Sequence, residues 1–261
     1  MNRIAKLFQD KDRDILSVYF TAGIPSLQAT GEIIRSLESS GADMVEIGIP
    51  FSDPMADGAV IQESSARALR QGMTLSLLLE QVAGVRSSCR IPLILMGYLN
   101  PVMQYGVERF FEKCRAIGID GLIIPDLPFQ EYRRSFEPLC VEYDLPVIML
   151  ITPETGDERI RLIDEHCGGF IYMVSSASTT GVKERFTEEQ LHYFERVDRM
   201  GLKNKRLTGF GVSNPETFSM ACRYSNGAIV GSLFVRELME QENVGRAVER
   251  VMQRLGVKKQ L

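Results

Sequence analysis

Short apolar runs of strand length recur along the chain, each followed by loop residues, with stretches of helical periodicity between them. The runs are ILSVYFT (15–21), DMVEIG (43–48), LILMG (93–97), GLIIPD (121–126), PVIMLIT (146–152), GFIYMVS (169–175), RLTGFG (206–211) and GAIVGS (227–232), eight in all. A helix is predicted over 26–40, where Ser26 is placed to cap it and Leu27, Ile33, Ile34 and Leu37 share one face. Further helical stretches fall on 101–117, 130–143, 157–166, 187–200 and 215–223. The interval 48–80 is long for one loop and one helix, which predicts an extra helical turn near 62–70 before a main helix starting by Thr74. An amphipathic start with Ile4, Leu7 and Phe8 precedes the first run. Eight strand–helix alternations in a chain of 261 residues predict an α/β fold, a (β/α)8 TIM barrel with extra N-terminal and loop helices, as a single domain over 1–261. A doubly wound open sheet would place a Gly-rich dinucleotide fingerprint after the first strand, and Thr21-Ala22-Gly23-Ile24-Pro25 is not one.

Composition narrows the classes of function. With 44 % hydrophobic residues the chain can bury a full core, and no stretch reads as a linker. A net charge of −4 without a basic stripe argues against nucleic acid or an anionic membrane as partner. No apolar run approaches a membrane span and no leader pattern opens the chain, so a cytoplasmic protein is expected. Cys89, Cys114, Cys140, Cys167 and Cys222 are scattered without C-x-x-C spacing, the pattern of reduced thiols. The two histidines, His166 and His192, form no ligand-like cluster, so no metal site is expected.

The candidate chemistry centres on 43–58, DMVEIGIPFSDPMADG. Glu46 sits inside an apolar strand that ends at Gly48 and Pro50, and Asp43, Asp53 and Asp57 surround it in sequence. Burying an ionised carboxylate costs several kcal/mol, so such a Glu is either satisfied by loop N–H groups or chemically active. Strand ends are where parallel α/β proteins place their sites. Gly209-Phe210-Gly211 ends the seventh strand, and Gly231-Ser232 ends the eighth ahead of a helical LFVRELME. Each Gly alone reads as a turn; two such ends in succession match the place where barrels hold a phosphate, and Gly181 is placed to close the same site. The lysines all fall in helices, loops or termini, with Lys205 at the wrong end of its strand, which disfavours a Schiff-base aldolase. Carboxylate acid and base chemistry remains, with Glu46 and Asp57 as candidates.

EIGIPFSDPMADGAVIQ closely resembles the signature of the tryptophan synthase alpha subunit family, and LMGYLNP, GLIIPDLP, GFGVS and the final GS fall where that family carries its other motifs. The resemblance covers essentially the whole chain. It implies a lyase of tryptophan biosynthesis that cleaves indole-3-glycerol phosphate by a retro-aldol step to indole and glyceraldehyde 3-phosphate, with no metal or organic cofactor in this subunit. By the same resemblance the catalytic acids are Glu46, which would protonate indole C3 and take the glycerol hydroxyl proton, and Asp57, which would hydrogen-bond the indole N–H. The indole pocket maps onto Tyr19, Tyr98, Ile123, Leu150, Tyr172, Val174, Phe210 and Ile229, and the phosphate contacts onto Gly181, Phe210, Gly211, Gly231 and Ser232. The partner implied is a pyridoxal-phosphate beta subunit in an alpha2-beta2 heterotetramer, docked on residues 50–60 and on the loop holding Asn100 and Pro101. An apolar mouth should raise the Glu46 pKa, while Asp57 on a polar loop should stay ionised.

Two loops depart from the family pattern. The lid after strand six usually reads Ser-x-x-Gly-Val-Thr-Gly, and here Ser178 and Thr179 replace the Gly-Val pair, ahead of Thr180 and Gly181. Loop one has Ile24 where the family has Asp. Gly-to-Ser replacement at a hinge costs about 1 kcal/mol or more where φ is positive, so weakened turnover is expected, and Ser178→Gly or Ile24→Asp should raise it. The alternatives are a weakly active or inactive barrel that serves as an allosteric activator of the beta subunit, and another barrel enzyme acting on a sugar phosphate.

Overall fold

The computed structural model describes residues 2–175, 185–241 and 243–257. Its eight parallel strands are β1 (Ile15–Thr21), β2 (Met44–Gly48), β3 (Leu93–Met96), β4 (Gly121–Ile123), β5 (Val147–Ile151), β6 (Ile171–Val174), β7 (Arg206–Gly209) and β8 (Gly227–Val230). They pair in chain order and β8 closes on β1, the (β/α)8 barrel predicted from the alternation. The register sets Tyr19 of β1 opposite Glu46 of β2, and Glu46 opposite Ile94 of β3.

The strands are buried on both faces because alternate side chains serve two cores. Val18, Val45, Leu95, Val147 and Val230 point outward into a large cluster with the helices. Ile15, Met44, Ile94, Ile123, Ile148, Tyr172, Leu207 and Ile229 point inward and fill the barrel. The amphipathic N-terminal stretch is the helix Arg3–Asp10, whose Ile4 and Phe8 close the inner core at the N-terminal end. Ile4 fits because β4 begins at Gly121, where a Cβ would press on the Ile4 side chain. Asp120 fixes this plug, pairing with Arg3 at 2.9 Å and Arg86 at 3.3 Å.

Several helices differ from the periodicity. The helix predicted over 26–40 begins at Thr30; Ser26 closes a turn through its carbonyl to Ala29 N–H instead of capping. The turn expected near 62–70 is a full helix, Ala59–Arg70, and Thr74 caps the next, Leu75–Arg86, by accepting from Leu77 N–H at 3.2 Å. The stretch 101–117 divides into Leu99–Tyr105 and Val107–Ile117 at Gly106, whose φ of +93° excludes continuous helix. The stretch 130–143 contains a π-helical turn, Tyr132–Phe136. A further helix, Val244–Leu255, follows Ser232–Gln241 and packs on it. No helix among the described residues is long and apolar enough to cross a membrane.

Candidate active site

Glu46 lies at mid-strand on the inward face of β2, between Met44 and Gly48. It is wholly buried. Oε1 accepts a hydrogen bond from Ser17 Oγ at 2.7 Å, and Oε2 has no partner among the described residues. Burial pushes its pKa up to about 7, the Ser17 bond opposing the shift. Near neutral pH the group therefore exists in both forms, as a general acid and base requires.

Asp57 reaches the same mouth from the loop after β2. It lies half-buried, and burial raises its pKa, opposing the ionised form expected of it, while the Tyr98 phenol lowers it. Tyr98 Oη donates to Asp57 Oδ2 at 3.0 Å and accepts from Ala56 N–H at 2.9 Å, and its ring stacks on Phe51 at 5.3 Å. One side chain thus holds three points of the loop. The two other nearby acids stay apart from this pair. Asp43 faces the N-terminal end, bonded to Lys11 at 2.6 Å and Leu16 N–H at 2.8 Å, and Asp53 is exposed.

The apolar residues assigned to an indole pocket come together. Ile123, Tyr172, Val174 and Ile229 belong to the inner core, with Leu150 and Phe210 packed on it. Tyr172 and Phe210 meet edge to face at 6.4 Å. Tyr19 and Tyr98 line a narrow cleft with Asp57 and Met96. Two glycines create the space for these rings: a Cβ at Gly48 would overlap the Tyr19 hydroxyl, and one at Gly209 the Tyr172 hydroxyl. The Tyr172 phenol is pushed well above its ordinary pKa by burial, then by Glu46 and Asp57, so it stays a neutral donor beside them. The Tyr19 phenol is raised too, first by burial and next by Asp57.

Directly after β7, Phe210 and Gly211 both have positive φ, +65° and +78°. For a phenylalanine this conformation costs on the order of 1–3 kcal/mol, so its surroundings must hold it there. Gly231 leads into the helix Ser232–Gln241, whose first-turn N–H groups lack partners within the helix and carry partial positive charge. Gly211, Gly231 and Ser232 can therefore offer main-chain donors to an anion. Gly181, Ser178, Thr179 and Thr180 lie outside the described residues.

Three polar residues of the site were not predicted. Ser17 had a visible signal, a lone hydroxyl at an inward position of an apolar strand. Ser175 stands at the leading Ser of the lid pattern after strand six, a signal that did not disclose its bond to Phe210, and Gln190 had none. Ile24, where the family has Asp, is wholly buried in the outer core, so a carboxylate at this position would be desolvated.

Residues 5–260 match the family model for the tryptophan synthase alpha chain. The chain is 55 % identical over 251 residues to the tryptophan synthase alpha chain of Bacteroides fragilis, covering 96 % of this chain and 95 % of that one. It is 54 % identical to that of Parabacteroides distasonis, covering 98 % and 99 %. Among solved structures it resembles the tryptophan synthase subunit alpha of Legionella pneumophila, with a TM-score of 0.88 at 33 % identity over 98 % of this chain and 97 % of that one. It also resembles a chain of the tryptophan synthase complex of Pyrococcus furiosus, with a TM-score of 0.84 at 33 % identity, covering 94 % and 98 %. With barrel, carboxylate pair and near full-length similarity in agreement, the chain belongs to the tryptophan synthase alpha chain family.

Proposed function

We propose that this chain cleaves indole-3-glycerol phosphate to indole and glyceraldehyde 3-phosphate, as the alpha subunit of a tryptophan-forming enzyme. One observation carries the reading: a buried carboxylic acid with a pKa near 7 and one unpartnered oxygen, Glu46, acts on the same Tyr19 and Tyr172 phenols as a second carboxylate, Asp57. Glu46 delivers its proton to indole C3, and the positive charge that develops on the ring nitrogen is met by Asp57 accepting from the indole N–H. Glu46, now a carboxylate, removes the proton of the hydroxyl on the carbon attached to C3. That carbon becomes the aldehyde, and the electrons of the broken carbon–carbon bond return to the ring. The net proton transfer is from oxygen to carbon, and no cofactor in this subunit is required. The inner tyrosines and aliphatic residues hold the indole, and Gly181, Phe210, Gly211, Gly231 and Ser232 hold the phosphate.

The partner in this reading is a beta subunit in an alpha2-beta2 assembly in the cytoplasm. Two methionines support the docking face: Met55 on the loop that carries Asp57 is 91 % exposed, and Met103 on the helix that holds Asn100 and Pro101 is 60 % exposed.

The test is indole release from indole-3-glycerol phosphate by the chain alone and with its beta subunit, beside Glu46→Gln and Asp57→Asn. Release that rises with the partner and vanishes in both variants is expected. No release, with the beta reaction still accelerated, would instead make the chain a regulatory subunit.

A further inference from the structure

The peptide between Phe210 and Gly211 is held from the β6 side by a buried polar clasp. Ser175, directly after β6, donates from Oγ to the Phe210 carbonyl at 2.6 Å and from its N–H to the Gly209 carbonyl at 3.1 Å. Ser175 is in turn held by Gln190 on the helix Glu188–Arg199. Gln190 Nε2 donates to Ser175 O at 2.9 Å and lies 3.4 Å from Ser175 Oγ. The amide is used at both ends, since Gln190 Oε1 accepts from Thr187 N–H at 2.9 Å in the helix cap. Ser175 and Gln190 are 0 % and 5 % exposed, so their mutual bonds are not replaced by bulk water.

The direction of these bonds matters. In a trans peptide the C=O and the following N–H point to opposite sides. A Phe210 carbonyl turned toward Ser175 therefore sends the Gly211 N–H away from β6, and β7 has β8 on its other side. There Gly231 leads into the helix that starts at Ser232. We propose that Gln190, acting through Ser175, is a positioning residue for phosphate: the clasp holds the Phe210–Gly211 peptide in the orientation that presents the Gly211 N–H to the substrate's phosphoryl group. Neither side chain touches substrate. This deepens the reaction proposed above and rests on its phosphate assignment.

Gln190→Glu separates the two ends of the amide, keeping the acceptor that caps the helix at Thr187 and removing the donor to Ser175. Ser175→Ala removes the bond to the Phe210 carbonyl, and Ser175→Thr restores a hydroxyl. Dissociation constants for glycerol 3-phosphate and, separately, for indole would be measured on the full chain by calorimetry, with KM and kcat for indole-3-glycerol phosphate and the thermal midpoint of each variant. The expected result is glycerol 3-phosphate binding and KM weakened about tenfold in Gln190→Glu and Ser175→Ala, with recovery in Ser175→Thr. Indole binding should change less than about twofold. Equal weakening of both ligands would reduce the clasp to general support and overturn the assignment, as would unchanged phosphate binding in variants that fold. A chain that binds glycerol 3-phosphate but releases no indole would overturn the proposed reaction and leave the clasp standing. One that binds no glycerol 3-phosphate would overturn the clasp's role.

Discussion

Glu46 is a residue that the fold tolerates at a cost. Its pKa is about 7 in the folded chain against 4.5 ordinarily, so between those values the native state holds a proton that the unfolded state has released. Stability therefore falls as pH rises from about 4.5 to 7, by about 3 kcal/mol from this group. Glu46→Gln should leave stability unchanged near pH 4 and raise it by about that amount at pH 8, while abolishing turnover; denaturant unfolding at the two pH values measures this. Equal effects at both would mean that Glu46 is not desolvated. Tyr98 makes a second residue-scale prediction. Tyr98→Phe keeps the ring stacked on Phe51 but removes the bonds to Asp57 and Ala56 N–H. With the phenol gone, the Asp57 pKa rises further, and kcat/KM for indole-3-glycerol phosphate should fall about tenfold, the size of one lost charge-assisted hydrogen bond. A midpoint of unfolding within a few degrees of the unmodified chain would separate this from global destabilisation.

Elements, more than single residues, explain where the sequence reading met its limits. Strands were legible because an inward-and-outward buried strand is a continuous apolar run, and eight such runs leave little freedom of topology. Helix boundaries were less so: Gly106 divides one predicted helix because its φ is +93°, a property of backbone position that residue type alone does not disclose. Loop one makes the same point with larger consequences. Read as sequence, Ile24 is a lost carboxylate; in the fold it is a wholly buried core side chain beneath the helices. Ile24→Asp should therefore lower stability by on the order of 3 kcal/mol or more, by placing a carboxylate where nothing solvates it. Chemical denaturation would measure that loss, and a stable variant with faster turnover would show instead that a carboxylate at this position serves loop two.

At the scale of the molecule, the barrel separates stability from chemistry along its axis. Its N-terminal end is closed by Ile4 and Phe8 and by Asp120 with Arg3 and Arg86, while Asp57, Tyr19 and Tyr98 gather at the other end above the mid-strand Glu46. Docking belongs to this scale as well. Met103→Asp should leave indole release by the isolated chain unchanged but reduce its stimulation by the beta subunit about tenfold or more, read by titrating one subunit with the other; unchanged stimulation would move the interface elsewhere. The sequence by itself determined the (β/α)8 order and the glycines at the ends of β7 and β8, and singled out Glu46 and Asp57 as candidate acids, because periodicity and a long local motif are written in neighbouring residues. Tertiary structure alone decided that Ser17 bonds Glu46, that Tyr98 holds Asp57, and that Gln190 and Ser175 hold the peptide of Phe210. These partners lie between 15 and 41 positions apart, and only closure of the barrel brings them within hydrogen-bond distance.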